Sequence, residues 1–247
     1  MIRNGFFKAA IVMAALSVAS LAHAQTGPTS NWIVEFGIGW DNSISGNINS
    51  SAIGSLNNQT VVILKNQYED VYGTGLNLRF GGGYMLNDET EARVMFTFQS
   101  LDADLATLGD YGASPLYGQF SDYQSLTLDV GLRRYGRLRS NNLRPYAEGS
   151  IGLGFVDKTD VELVAPQANL RRDATDFYDQ TTAFTFSGNA GVLWNVSPRL
   201  GMFAQLGLRW VTGMSEVDNF VGTGLESIND NSSRWTMPFL VGARLGF

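Results

Sequence analysis

Stretches of about ten residues in which every second position is apolar recur along this chain. The last of them is the clearest. Trp235, Met237, Phe239, Val241, Ala243, Leu245 and Phe247 share one parity, and Thr236, Pro238, Leu240, Gly242, Arg244 and Gly246 share the other. A strand sends alternate side chains to opposite faces. This stretch therefore has one apolar face and one face carrying an arginine among glycines.

Seven earlier stretches repeat the pattern. In 31–40, Trp32, Val34, Phe36, Ile38 and Trp40 oppose Ile33, Glu35, Gly37 and Gly39. In 72–86, Leu76, Leu78, Phe80 and Tyr84 oppose Asn77, Arg79, Gly81 and Gly83. In 91–100, Ala92, Val94, Phe96 and Phe98 oppose Arg93, Met95, Thr97 and Gln99. In 123–135, Leu126, Leu128, Val130 and Leu132 oppose Thr127, Asp129, Gly131 and Arg133. In 144–155, Ala147, Ile151, Leu153 and Phe155 oppose Tyr146, Glu148 and Ser150. The remaining two are 182–194, showing Phe184, Phe186, Ala190, Val192 and Trp194, and 200–210, where Leu200 to Trp210 oppose Phe203, Gln205 and Arg209.

The connections alternate in length. Those at about 41–71, 101–122, 156–181 and 212–233 are long, and those at about 87–90, 136–143 and 195–199 are short. A soluble sheet would bury its apolar faces in a core. An outer-membrane barrel turns them to lipid, keeps its periplasmic turns short and lets its outer loops run long. The expectation is an all-β fold: an eight-stranded antiparallel up-and-down transmembrane β-barrel, with both termini periplasmic and four long, mobile extracellular loops. Thr60–Leu64 and Val161–Val164 read as strand extensions above the membrane. A ten-stranded barrel is the alternative, but neither piece has a matching run of its own.

The chain opens with Arg3 and Lys8, an apolar run from Ala9 to Leu21, and Ala22-His23-Ala24. A basic head, a short apolar stretch and a small-x-small site make a secretory signal peptide over 1–24. The run is shorter than the ~20 residues a spanning helix needs. The barrel domain is then 25–247, and the location is the bacterial cell outer membrane after cleavage. Removing Arg3 and Lys8 takes the net charge from −6 to −8, a poor match to nucleic acid. There is no cysteine, and the single histidine, His23, leaves with the leader. That excludes thiolate chemistry, a His base and imidazole metal ligation. Lys65 and Lys158, the only lysines left, sit in loops, which disfavours Ser-Lys chemistry. No catalytic residue, metal site or cofactor is expected, and the protein reads as a non-enzyme.

The Arg144-Pro145-Tyr146 start of the fifth run with its Gly152-Leu153-Gly154-Phe155 end, and the terminal Gly242-Ala243-Arg244-Leu245-Gly246-Phe247, resemble the eight-stranded outer-membrane barrels of the OmpA/OmpX type. The resemblance covers nearly all of the chain after the leader. It implies that Phe247 ends a C-terminal sorting signal read by the barrel-assembly machinery. That family holds structural barrels, adhesins, small-solute or hydrophobe channels and a few lipid-modifying enzymes.

An eight-stranded barrel is just wide enough for side chains to fill. The inward list is Glu35, Arg79, Glu91, Arg93, Asp129, Arg133, Glu148, Arg209 and Arg244. Opposite charges in a narrow lumen must pair, because an unpaired buried ion is costly. Aligning the strand ends sets Glu35 level with Arg244 as an expected pair. Counting around a turn at 136–143 sets Glu148 opposite Gly131. A general acid/base pair or an ion-selective constriction is the functional alternative to this plug. Neighbouring arginines lower a carboxylate's pKa, the wrong direction for acid catalysis.

Trp32, Tyr84 and Trp194 fall near one end of their strands. Trp40, Tyr72, Trp210 and Trp235 fall near the other, as two membrane-interface girdles would. The long connections hold most of the acid, from Asp41 and Glu69 through Asp160 and Asp176 to Glu226 and Asp230. None has calcium-loop spacing. Outer-membrane lipid and lipopolysaccharide are expected partners, with an extracellular ligand or host surface at the loops. The functional expectation is a structural or adhesive barrel. The alternative is a narrow channel, or a conduit for small or hydrophobic solutes.

Overall fold

The computed structural model describes residues 31–137 and 142–247. The expected leader and its cleavage site lie outside the described residues. Eight long strands are present: β1 (Trp32–Ser45), β2 (Gly75–Asn87), β3 (Thr90–Leu101), β4 (Tyr123–Tyr135), β5 (Leu143–Val156), β6 (Thr181–Asn195), β7 (Leu200–Val211) and β8 (Arg234–Gly246). Each pairs antiparallel with its sequence neighbours, and β1 pairs with β8 to close the barrel. With an even strand number, Asn31 and Phe247, the first and last described residues, lie at one rim and the long connections at the other.

Parity decides which residues face where. Ile38, Phe96, Leu128, Ile151, Phe186 and Leu206 are exposed on the outer wall. The opposite parity supplies a buried polar interior. At Gly39 a Cβ would strike the Phe239 carbonyl of the neighbouring strand β8.

The β4–β5 register corrects one expectation. Arg133 stands opposite Glu148, and Gly131 opposite Ser150. The Gly136 N–H donates to the Pro145 carbonyl at 2.8 Å, so the turn closes two residues away from where equal counting from 136 and 143 placed it.

The long connections are folded. Six strands from three of them, with a short one from the fourth, form a seven-stranded sheet ordered Ser215–Glu216, Leu170–Asp179, Thr159–Ala165, Ser114–Phe120, Leu105–Tyr111, Gln59–Ile63 and Ala52–Leu56. The pieces around Thr60–Leu64 and Val161–Val164 are thus strands of a separate sheet, not barrel extensions. Each finds its hairpin partner inside its own connection: Ile63 opposite Ala52, and Val164 opposite Arg171. A one-turn helix, α1 (Tyr68–Val71), follows Gln67, whose N–H donates to the Asp70 carboxylate at 2.8 Å.

This cap has its own core. Ile48, Leu116, Leu163, Phe177 and Phe220 pack with Leu101, Val156 and Val211 from the tops of the barrel strands. Fully burying a side chain such as Leu116 contributes about 1.5–3 kcal/mol. The apolar core therefore sits on the loop ends of the barrel strands.

Candidate functional site: a charged lumen under a folded cap

Inward side chains meet across the lumen in layers. Nearest the terminal rim, the Tyr135 hydroxyl donates to Glu91, and Arg244 reaches Glu91 at 3.2 Å from the opposite wall. A Cβ at Gly83 would collide with the Glu91 carboxylate, so the glycine on β2 makes its room.

The next layer is the densest. Arg133 donates to both oxygens of Glu35, at 2.7 and 3.1 Å, and its Nε donates to Glu148 at 3.0 Å. Arg93 bridges the same two carboxylates, reaching Glu35 at 2.5 Å. Arg79 completes the ring on Glu148. The Arg133 guanidinium also lies over the Tyr146 ring, 4.0 Å from its centre, and the Tyr146 hydroxyl donates to Gln205 at 3.0 Å. All of these groups are buried.

Toward the cap, Asp129 of β4 accepts from Arg209 of β7 at 3.2 Å and from Thr97 and Thr185. Above it, Asp41 accepts from Gln99 at 2.7 Å and Asn77 at 3.3 Å. Arg234 donates to Gln99 at 3.0 Å and lies 3.9 Å over the Tyr123 ring. Among the described residues, six arginines thus face five carboxylates. Glu35 and Glu148 are each shared between guanidiniums from different strands, an arrangement suited to rigidity.

The expected nine lumen residues all come inside, but one proposed pair does not form. Glu35 and Arg244 are opposite in register, yet their side chains reach past one another to Arg133 and Glu91. Two further members were missed. Asp41, read as a loop acid, is fully buried, and Arg234 is 2 % exposed. Their parity gave the signal: Asp41 continues Glu35, Gly37 and Gly39, and Arg234 continues Thr236 to Arg244.

An established sequence family fits this geometry. The model of the outer membrane protein beta-barrel domain matches residues 9–244. The chain belongs to this family. Its place is accordingly the bacterial outer membrane. No curated protein matches it. Solved structures similar to this outer-membrane barrel include Neisserial surface protein A, at 13% identity and TM-score 0.47, covering 90% of this chain and 100% of that one. OprG from Pseudomonas aeruginosa follows at 11% and 0.45, covering 90% and 98%. The outer membrane protease OmpT from Escherichia coli gives 10% and 0.42, covering 91% and 99%. Likeness at this level lends the chain no activity.

On the outer wall, Trp32 and Tyr84 meet edge to face at 5.1 Å near the terminal rim, where Trp194 is also exposed. Toward the cap, Trp40 stacks on Phe239 at 4.7 Å, and Trp210 stands opposite Trp235. Tyr72 is the correction. It precedes β2, is 2 % exposed, and donates to the Ser121 carbonyl at 3.1 Å inside the cap core. The chain turns through α1 just before it, so the alternation read from Tyr72 begins only at Gly75. Phe247 donates its N–H to the Trp32 carbonyl at 3.0 Å, fastening the chain end to β1.

Proposed function

We propose that this outer-membrane barrel is a non-enzymatic, shut scaffold that presents a folded acidic domain at the cell surface for structural or adhesive contacts. The observation that carries it is Arg93 and Arg133 bridging Glu35 and Glu148 across the lumen, with an apolar core above them. The short turns face the periplasm, both termini with them, and the leader is removed on export. The lumen charges plug the barrel, the wall tryptophans anchor it at the two interfaces, and Phe247 is read during assembly. Lipopolysaccharide surrounds the wall, and an extracellular ligand or host surface meets the cap.

The absence of cysteine, and of any histidine beyond the leader, supports the non-enzymatic reading. Single-channel recording of the refolded barrel in planar bilayers tests the closure. A folded, silent barrel is expected. Steady conductance that changes on substituting Arg79, Arg93 or Arg244 would make the lumen a channel and overturn the scaffold reading.

A further inference from the structure

Much of the outer wall is covered by large apolar side chains. Near the terminal rim, between β2 and β6, small ones collect instead. Gly82, Ala92 and Gly149 face out there. In register, Ala92 stands opposite Leu132, Leu132 opposite Gly149, and Gly149 opposite Gly188, with Ala147 and Ala190 paired alongside. A Cβ built at Gly149 or at Gly188 meets nothing within 4 Å. The result is an open apolar groove of about 870 Å³, running from Trp32 and Tyr84 past Leu132 and Gly149 to Phe186.

Arg134 is not among the lining residues but follows them along β4. It is two residues beyond Leu132 on the same face of β4, ~7 Å further toward the terminal end. Its side chain is 78% exposed, and Glu89 lies 3.6 Å away.

We propose that the groove and Arg134 together seat one anionic phospholipid of the inner leaflet. An acyl chain lies over Gly149 and supplies the dispersion contacts that the bare backbone otherwise lacks. The phosphate accepts from the Arg134 guanidinium, whose planar fork suits phosphate oxygens better than the long contact to Glu89. The leaflet rests on the reading that the short turns face the periplasm. The site itself does not.

The test is native mass spectrometry of the full refolded barrel in mixed micelles with phosphatidylglycerol, or with diacylglycerol as a phosphate-free control. Micelles have no sidedness, so failure here is separable from failure of the orientation, which loop proteolysis in vesicles reads. Wild type should retain one phosphatidylglycerol. Gly149→Leu fills the groove, and the open space at its Cβ lets the barrel fold. It should retain both lipids at least about tenfold less. Arg134→Gln should lose the preference for phosphatidylglycerol over diacylglycerol. Retention unchanged in Gly149→Leu overturns the proposal. So does a barrel dimer that Gly149→Leu dissolves, which would give the groove to a second copy of the chain.

Discussion

Glu35 and Arg244 stand opposite one another on β1 and β8 and do not pair. Glu35 is held by Arg133 at 2.7 Å from β4, and Arg244 meets Glu91 at 3.2 Å on β3. In a narrow barrel the far wall is within reach of an arginine, so adjacency in register does not choose the ion pair. Glu35→Ala leaves Arg93 and Arg133 buried around one remaining shared carboxylate. It should lower the unfolding free energy by roughly 3–5 kcal/mol. A double-mutant cycle in urea should find Glu35 and Arg133 coupled by about 0.5–3 kcal/mol, and Glu35 and Arg244 by less than about 0.5. Strong coupling between Glu35 and Arg244 would restore the pair expected from counting.

The two proposed closures would act in series, and the conductance of variants tests them. Arg133→Ala loosens the densest charged layer but leaves the apolar core over it. It should stay silent in a planar bilayer. Replacing 159–179 by a short Gly-Ser link in that background removes Val161, Leu163, Phe177 and Tyr178 from the core. The combined variant should conduct, with the eight-stranded barrel still shown by its heat-dependent gel shift. Conductance from Arg133→Ala alone would mean that the cap does not seal.

The barrel was legible because lipid outside and charge inside force a two-residue period on every strand. That period placed Glu35, Arg79, Glu91, Arg93, Asp129, Arg133, Glu148, Arg209 and Arg244 on the inner wall. The pairing of those charges was not legible, since it depends on which long side chain crosses a closed cross-section. The cap was missed for another reason. Hairpins such as Leu105–Tyr111 with Ser114–Phe120 are short, carry bulges and bury one face on residues from other connections, so their own periodicity is weak. Asp41 falls just beyond the run over 31–40, although β1 continues to Ser45.

Acid should loosen one part of the cap before the rest. The Glu226 carboxylate accepts from its own backbone N–H and from those of Gly222, at 2.7 Å, and Gly224, at 3.3 Å, which hold its pKa below the usual glutamate value. A depressed folded-state pKa stabilises fully above the unfolded value, about 4.3. That contribution is lost as pH falls through the folded one. The protection factors of the Gly222 and Gly224 amides, taken relative to intrinsic exchange at each pH, should therefore fall below about pH 4 in wild type. In Glu226→Gln protection should already be low at neutral pH and nearly independent of acid. Equal pH dependence in the two proteins would remove Glu226 as the fastener.

Tyr72 separates a membrane anchor from a cap residue. As an interfacial aromatic, its loss would weaken insertion and leave the loops alone. Instead its ring lies 6.0 Å from Tyr123 and 6.3 Å from Tyr68, and its hydroxyl holds the Ser121 carbonyl that precedes β4. Burial raises its pKa, so the phenol stays protonated and keeps that bond at any physiological pH. Tyr72→Ala should open a cavity where α1, β4 and the cap core meet, costing about 3–5 kcal/mol if the site relaxes as little as a core phenylalanine site does. The cost should fall on the cap. Protease cleavage within 105–120 and 159–179 should speed up, while vesicle insertion and the barrel's heat-dependent gel shift stay as in wild type. Tyr72→Phe should sit between the two, because it keeps the ring and loses only the hydrogen bond. Impaired insertion with an intact cap would return Tyr72 to the wall.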